Sequence, residues 1–326
     1  MTRAGHRGAS TALTLVGAVG LAALAWGSLV ERTRWTLREV TVPVLPDGAE
    51  PLRVLHLSDL HMAPWQRDKQ EWVRSLAELQ PDLVVDTGDN LGHERGLEGV
   101  RRALEPFAGI PGVFVNGSND YFGPTLKNPF RYFAGPSKVG GPNAARLDID
   151  ALHAFFDELG WIDLDNAAAA MQLRGTHLEF FGVDDAHKGY DRLDLITAAI
   201  DELREGDPWG DDSWSDDDAG GPDRPTVTIG VTHAPYRRVL GSFVNHGAQL
   251  ILAGHTHGGQ VRVPGYGALV TNCDIPRSQA RGLSLWGHGL HTAYLNVSAG
   301  LGTAITAPVR FACPPEATLL TLVPAP

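Results

Sequence analysis

Short apolar runs that end abruptly in polar residues recur along this chain, and segments of helical period fill the gaps between them. Leu52–Leu57 (LRVLHL) runs into Ser58-Asp59 and reads as a buried strand. Residues 69–79 place Trp72, Val73, Leu76 and Leu79 at helical spacing, with Pro81 as the stop. A second apolar strand, 83–85, meets Asp86-Thr-Gly-Asp89; a helix is expected over 97–104, and a strand over 113–115 meets Asn116-Gly-Ser-Asn-Asp120. Strands alternating with helices point to βαβ units and a mostly parallel sheet, whose ligands sit beyond the carboxyl ends of the strands. Asp59, Asp89 and Asn119 all lie at such ends. Further on, 148–159 reads as a helix stopped by Gly160. Strands are expected near 178–183, 227–231, 250–253, 294–297 and 318–322. The Gly- and Pro-rich stretch 123–142 reads as a long loop.

Residues 10–30 (STALTLVGAVGLAALAWGSLV) carry no charge. As a helix they would extend roughly 31 Å, about the thickness of a bilayer's hydrocarbon. Three readings stand: a single-span anchor, a secretory signal cleaved after Ala23-Leu-Ala25, or a core helix. Arg3 and Arg7 precede the run and Arg32, Arg34 and Arg38 follow it, so flanking charge specifies no orientation. The chain therefore divides into a flank at 1–9, the anchor or signal at 10–30, a linker at 31–51 and one large domain at 52–326. The expected localisation is a single-pass membrane protein with its domain outside the cytoplasm.

With 326 residues, 43% of them hydrophobic and 20% charged, the chain can bury a full core. The net charge of −11 argues against a nucleic-acid partner, which needs a basic face. Seven acids and no Lys or Arg fall in residues 207–223, within the Gly- and Pro-rich stretch 206–225, which reads as a flexible acidic insertion and lacks the spacing of a calcium loop. Cys273 and Cys313 show no zinc spacing, and whether they pair is open. Thirteen histidines in an acidic chain point towards metal chemistry.

Five short segments carry that chemistry: Asp59-Leu-His61, Gly88-Asp89-Asn90, Gly117-Ser-Asn-Asp120, Thr232-His233, and Gly254-His255-Thr-His257-Gly-Gly-Gln260. Singly each is a weak signal. Together, each follows an apolar strand, so the side chains converge on one rim. Their mix of carboxylate, amide and imidazole suits a borderline divalent metal such as Mn, Fe or Zn. His56, inside its strand, reads as a packed histidine. Asp86 and Asn90 read as turn and supporting residues, Asp184 and Asp185 as a turn, and Asp185-Ala-His187 as incidental.

The order of these segments resembles that of the calcineurin-like metallophosphoesterases, over residues 52–322. The GHTHGGQ heptapeptide, with Ser298-Ala-Gly-Leu-Gly302 and Pro308-Val-Arg-Phe311 downstream, is similar to the membrane-associated bacterial phosphodiesterase branch. The resemblance implies a four-layer α/β/β/α sandwich of two facing mixed sheets flanked by helices, here behind an N-terminal transmembrane helix. It implies two divalent metal ions, with Asp59, His61 and His257 on one, His233 and His255 on the other, and Asp89 bridging. It further implies hydrolysis of a phosphodiester or pyrophosphate, in a small-molecule or lipid-linked substrate, by a metal-bridging hydroxide. The family's Gly-Asn-His-Asp/Glu segment is altered to Gly117-Ser118-Asn119-Asp120. Either Ser118 or Asn119 takes the metal-binding amide's place, Asp120 keeps the place of an orienting carboxylate, and no histidine remains as general acid. Slower turnover or substrates with good leaving groups are expected in consequence. The alternative is a non-catalytic metal-binding or interaction module. Oligomeric state is not legible.

Overall fold

The computed structural model describes residues 4–124, 144–205, 226–303 and 307–326, the side chains of residues 4–13 and of Val16 excepted. The acidic insertion expected at 206–225 and most of the loop expected at 123–142 lie outside the described residues. The first half runs α1 (Ala4–Leu29), β1 (Thr36–Leu45), β2 (Leu52–Leu57), α2 (Arg67–Ser75), β3 (Leu83–Asp86), α3 (Gly96–Leu104), β4 (Gly112–Phe114), the single turn α4 (Ser118–Tyr121) and α5 (Ile149–Leu159). Then follow β5 (Trp161–Asp163), β6 (Ala168–Leu173), β7 (Thr176–Val183), α6 (Leu193–Glu205), β8 (Thr226–Thr232), α7 (Arg237–Asn245) and β9 (Leu250–Ala253). A small ribbon, β10 (Arg262–Val263) with β11 (Gly267–Ala268), precedes β12 (Gly282–His288), β13 (His291–Val297) and β14 (Glu316–Pro324).

The class is mixed α/β with two six-stranded sheets, ordered β1-β14-β2-β3-β4-β5 and β12-β13-β9-β8-β7-β6. Three apolar layers hold them. Val54, Val85 and Val113 of the first sheet meet Phe180, Ile229 and Leu252 of the second. The next residues along the same strands, Leu55 and Phe114, point the opposite way and pack on Val73, Val100 and Phe156 of α2, α3 and α5. On the far side, Phe181 and Ile251 pack on Ile196 of α6 and Phe243 of α7. Burial on both faces explains why the strands read as unbroken apolar runs. α5 shows the local logic: Asp148 Oδ1 accepts the Ala151 N–H at 3.0 Å, Leu152, Phe155, Phe156 and Leu159 form the buried stripe, and Gly160 closes the helix at φ 83°.

Residues 36–45, expected as linker, form a strand at the edge of the first sheet, paired in parallel with β14. Its alternation (Val40, Val42 and Val44 inward, Glu39 and Thr41 outward) is a half-buried strand pattern. α1 spans 26 residues, and Leu15, Val19, Leu21, Leu24 and Leu29 are each more than half exposed. Among the described residues no helix is long and apolar enough to cross a membrane. Part of the apolar run at 10–30 has side chains outside the described residues.

Strand register positions the site. Leu57 pairs with Asp86, and Asp86 with Phe114, so β2, β3 and β4 end level. In the second sheet Val183 pairs with Thr232, and Ala253 with both Thr232 and Val297. The loops after these seven strands open at one edge of the sandwich.

Candidate metal centre

At that edge the described side chains form two groups of metal-ligand type, Asp59–His61–His257 and Asp59–Asp89–His233, with the donor atoms of each within 4.8 Å of one another. Asp89 Oδ2 lies 3.5 Å from both His61 Nε2 and His233 Nε2. His257 Nε2 is 3.6 Å from Asp59 Oδ1 and 3.3 Å from His61 Nε2, and His255 Nδ1 is 3.3 Å from His233 Nε2. Every ligand residue anticipated from sequence thus stands within one cluster. Asn119, half-buried, donates its backbone N–H to Asp89 Oδ1 at 2.8 Å and lays its carboxamide on Asp89 Oδ2 at 2.7 Å. Ser118 turns away, its hydroxyl donating to Asp185 Oδ2.

The residues fit divalent ions. Asp59 Oδ1 is buried with no hydrogen-bond partner, although Oδ2 accepts from Ser58 Oγ and from the His255 N–H. Imidazole nitrogens that face one another at 3.3 Å beside two carboxylates are a donor set that suits a divalent cation. Outer partners orient the rings: His233 Nδ1 meets the Thr87 carbonyl at 2.7 Å, and His255 Nε2 meets the Asn272 carbonyl at 3.1 Å and its amide Nδ2 at 3.2 Å, each leaving its other nitrogen facing the cluster. Burial holds His61 down to about 4 and keeps His255 and His257 far below the usual histidine range, so these rings are neutral donors. Burial also opposes a charge on His233, yet the Asp89 carboxylate overrides it and raises that histidine well above its ordinary value.

The backbone of the cluster is unusual. Asp59, His61, Asp89, His255 and His257 all adopt positive φ, between 41° and 67°. Outside glycine this conformation costs about 1–2 kcal/mol per residue and concentrates at functional sites. Close backbone approach accompanies it: a Cβ on Gly117 would lie 2.3 Å from Asp89 Oδ1, and one on Gly254 would lie 1.9 Å from Ser58 Oγ.

Buried ionic groups clamp these loops. Asp120 accepts four N–H bonds, from Asp89 (2.8 Å) and Gly117 (2.9 Å) on Oδ2 and from Asn90 (2.7 Å) and Leu91 (3.2 Å) on Oδ1. Lys69, almost fully buried, donates to the Leu60 and His61 carbonyls. Arg310, fully buried, donates to the carbonyls of Ala299, Gly300 and Gly302 and reaches to 3.4 Å from His257 Nδ1.

Sequence reasoning missed part of this. Asp185 and His187, dismissed as incidental, follow β7 at the same rim, with the His187 ring centroid 4.5 Å from that of His255. The signal was available: they follow an apolar strand just as Asp59 and Asp89 do. Lys69 and Arg310 gave no comparable sign, because only the fold shows which carbonyls surround them. His56 is a packed residue, bonded to Thr87 and Asn296. Asp86 Oδ1 accepts from the Gly88 backbone and the Asn90 side chain. Both cysteines are buried and free.

Comparison with known proteins finds relatives over most of the chain. The family model for calcineurin-like phosphoesterases matches residues 52–259. The uncharacterized Bacillus subtilis (strain 168) protein YpbG is 27% identical over 281 residues, covering 84% of this chain and 82% of its own length. The uncharacterized metallophosphoesterase YkuE of the same organism is 24% identical over 325 residues, 96% of this chain and 93% of its own. A Bos taurus transmembrane protein with metallophosphoesterase domain is 25% identical, over 69% of this chain and 45% of its own length. Among solved structures, TT1561 of Thermus thermophilus superposes with a TM-score of 0.41 at 12% identity, over 77% of this chain and 91% of its own.

Proposed function

The chain belongs to the calcineurin-like phosphoesterase family, and from that premise we propose that it is a membrane-anchored hydrolase of phosphodiesters or pyrophosphates that uses two divalent ions. The observation that carries this reading is Asp89 Oδ2, equidistant at 3.5 Å from His61 Nε2 of one donor group and His233 Nε2 of the other. Asp59, His61 and His257 would hold one ion, and His233, His255 and Asn119 the other, with Asp89 shared. Divalent ions in that position supply Lewis-acid polarisation of a phosphoryl oxygen and acidify water towards a pKa of about 7.

The chain's own residues set the geometry. Asp120 fixes the Asp89 backbone, Asn119 orients the Asp89 carboxylate, and Thr87 and Asn272 lock the His233 and His255 rings. Asn119 stands where the family places a proton-donating histidine, and a carboxamide donates hydrogen bonds but does not deliver protons at neutral pH. Substrates whose leaving group needs no proton are therefore favoured, which supports diesters with acidic leaving groups and pyrophosphates. The GHTHGGQ turn and the downstream Ser298–Gly302 and Pro308–Phe311 segments support the membrane-associated branch. α1 supports the anchor, since its apolar Leu15, Val19, Leu21, Leu24 and Leu29 are each more than half exposed and would be covered by lipid or a partner, and two relatives are named transmembrane proteins. A domain outside the cytoplasm acting on a lipid-linked substrate accords with such an anchor.

The test is hydrolysis of an aryl phosphodiester by the full chain in detergent micelles with Mn²⁺, beside the corresponding monoester. Expected is chelator-sensitive diester turnover that Asp89→Asn abolishes. Turnover that survives both treatments refutes the proposal. Bound metal without turnover on any phosphoester would favour the alternative of a non-catalytic module, which the altered Gly117–Asp120 segment motivates.

A further inference from the structure

The β10–β11 ribbon, which follows the GHTHGGQ turn, is built to stand out from the domain. Val263 pairs with Gly267, and the Tyr266 N–H returns to the Val263 carbonyl at 2.9 Å across Pro264-Gly265, with Gly265 at φ 79°. Proline followed by a left-handed glycine is the sequence of a tight type II turn. The turn leaves Val263 44% and Tyr266 61% exposed. Beside them Arg262, Arg277, Ser278 and Ala312 line an open cleft of about 690 Å³. Arg262 Nη1 donates to the Gly258 carbonyl at 2.8 Å, one residue from His257, so the cleft adjoins the metal centre. Arg277 Nη1 donates to Tyr266 Oη at 2.6 Å, with its guanidinium 4.8 Å from the ring centroid.

Charge and position say what covers this surface. Among the described residues neither Arg262 nor Arg277 pairs with a carboxylate, so the ribbon is a positive patch on a chain whose net charge is −11. Its position is continuous with the end of α1. The Arg310 N–H donates to the Gly27 carbonyl at 3.1 Å, and a Cβ on Gly27 would lie 2.5 Å from the Arg310 carbonyl oxygen. The buried Glu31 accepts the Cys313 N–H and, at 3.0 Å, the indole N–H of Trp26. The end of the apolar helix is thus fixed to residues 310–313 and is no loose tether. The same segment holds the ribbon: the Phe311 N–H donates to the Gln260 carbonyl at 3.0 Å, and the Phe311 carbonyl accepts the Arg262 N–H at 2.9 Å. One short stretch of chain therefore joins the helix end, the ribbon and the metal centre. Trp26, partly exposed, stands at the level where tryptophan anchors a helix in the membrane interface.

Resting on the reading of α1 as an anchor, we infer that the β10–β11 ribbon is a second bilayer contact, and that it seats on an anionic lipid surface. Val263 and Tyr266 suit the interface, where apolar side chains and amphipathic rings settle at headgroup level. Arg262 and Arg277 suit lipid phosphate, which a guanidinium can bind through two parallel N–H bonds. Together with the fixed end of α1, this contact holds the metal centre at the lipid surface. A lipid-linked phosphoester then reaches the cluster around Asp89 without crossing open water.

The test reads contact with lipid, not turnover. The full chain is reconstituted in nanodiscs of phosphatidylcholine, with or without phosphatidylglycerol, in which part of the lipid carries a headgroup spin label. A fluorophore is attached through Val263→Cys or, as control, Glu50→Cys. The Glu50 side chain is 71% exposed just before β2, at the end of the strands opposite the metal centre. Cys273 and Cys313 are buried, so the parent chain supplies the labelling background. The spin label should quench the fluorophore at residue 263 and spare the one at residue 50. Quenching should grow with phosphatidylglycerol, and the ratio of seated to unseated ribbon should fall about 5-fold for each of Arg262→Gln and Arg277→Gln. Equal quenching at both positions, or indifference to phosphatidylglycerol and to both arginines, overturns the inference. So does energy transfer between labelled copies without lipid quenching, which makes the ribbon a contact between chains. A chain that stays out of the discs overturns the anchor as well. One that enters them with residue 263 unquenched overturns this inference alone and leaves the anchor and the phosphoesterase reading standing.

Discussion

Asp120→Asn is the sharpest perturbation of the rim. The carboxylate accepts two N–H bonds on each oxygen, from Asp89 and Gly117 on one and from Asn90 and Leu91 on the other. A carboxamide keeps one acceptor end, and its NH₂ end then confronts two backbone donors. Two buried N–H groups lose their partners at about 1–3 kcal/mol each, so the fold should lose roughly 2–6 kcal/mol. That is a large share of the 5–15 kcal/mol typical of a domain. The function should suffer further, because the lost anchor on the Asp89 N–H is what holds that residue at φ 58°. The assay is urea denaturation of parent and variant with chelator present, so that altered metal binding does not contribute, followed by Mn²⁺ affinity at neutral pH. A loss below about 1 kcal/mol with metal affinity unchanged would refute the view that Asp120 staples the loop after β3 to the loop after β4.

Other outcomes follow from the same contacts. Ser118→Ala should leave metal affinity and turnover within a few-fold of the parent, whereas Asn119→Ala should lose about 10–100-fold in metal affinity; the reverse order would make Ser118 the ligand. Gly117→Ala should suppress turnover in steady-state assays, because the new Cβ occupies the position of Asp89 Oδ1, and an unaffected rate would show that the loop shifts freely. Glu316, fully buried, pairs with Arg38 at 2.9 Å and with Arg281, and although burial opposes its charge Arg281 holds its carboxyl below the usual range. A carboxylate whose folded pKa lies below the unfolded value of about 4.3 stabilises the fold above that value and loses the contribution as pH falls through the folded pKa. Glu316→Gln should thus cost about 3–5 kcal/mol at pH 7, and its stability should approach the parent's only as pH falls through the lowered folded value of the carboxyl.

How much of this was legible in the sequence depends on whether a signal was local. β2 and β9 carry the boundaries read from their apolar runs, and the α5 stop at Gly160 was visible as a left-handed cap. β1 was hidden because its half-buried alternation over TLREVTVPVL resembles an exposed linker until β14, some 280 residues later, supplies the partner. The candidate cluster was legible because its residues follow apolar strands, and strand register brings those strand ends level. What clamps them was not. Asp120 acts on backbone groups 29 to 31 residues away, and Arg310 acts on carbonyls whose convergence needs the finished fold. Where the Ser118 side chain points likewise depends on a remote group, since Asp185 draws its hydroxyl aside.

The strain carried by the ligands leads to a last prediction, on metal removal. Five ligand residues at positive φ cost roughly 5–10 kcal/mol together, comparable to the net stability of an ordinary domain. Hydrogen bonds accepted by Asp120 and donated by Lys69 and Arg310 offset that cost, but they hold backbone and leave the imidazole nitrogens facing one another. An ion that binds only the folded arrangement adds about 2.7 kcal/mol when present at 100 times its dissociation constant. Chelation should therefore lower the melting temperature, and its effect on amide exchange should be local. Residues 58–61, 88–90 and 254–258 should exchange faster, while β9 and α5, packed in apolar layers, should be unaffected. Asp89→Asn should respond to Mn²⁺ with a smaller rise in melting temperature than the parent. If the parent fails to respond, or if exchange rises evenly throughout the sandwich, the strained rim is not where ions act.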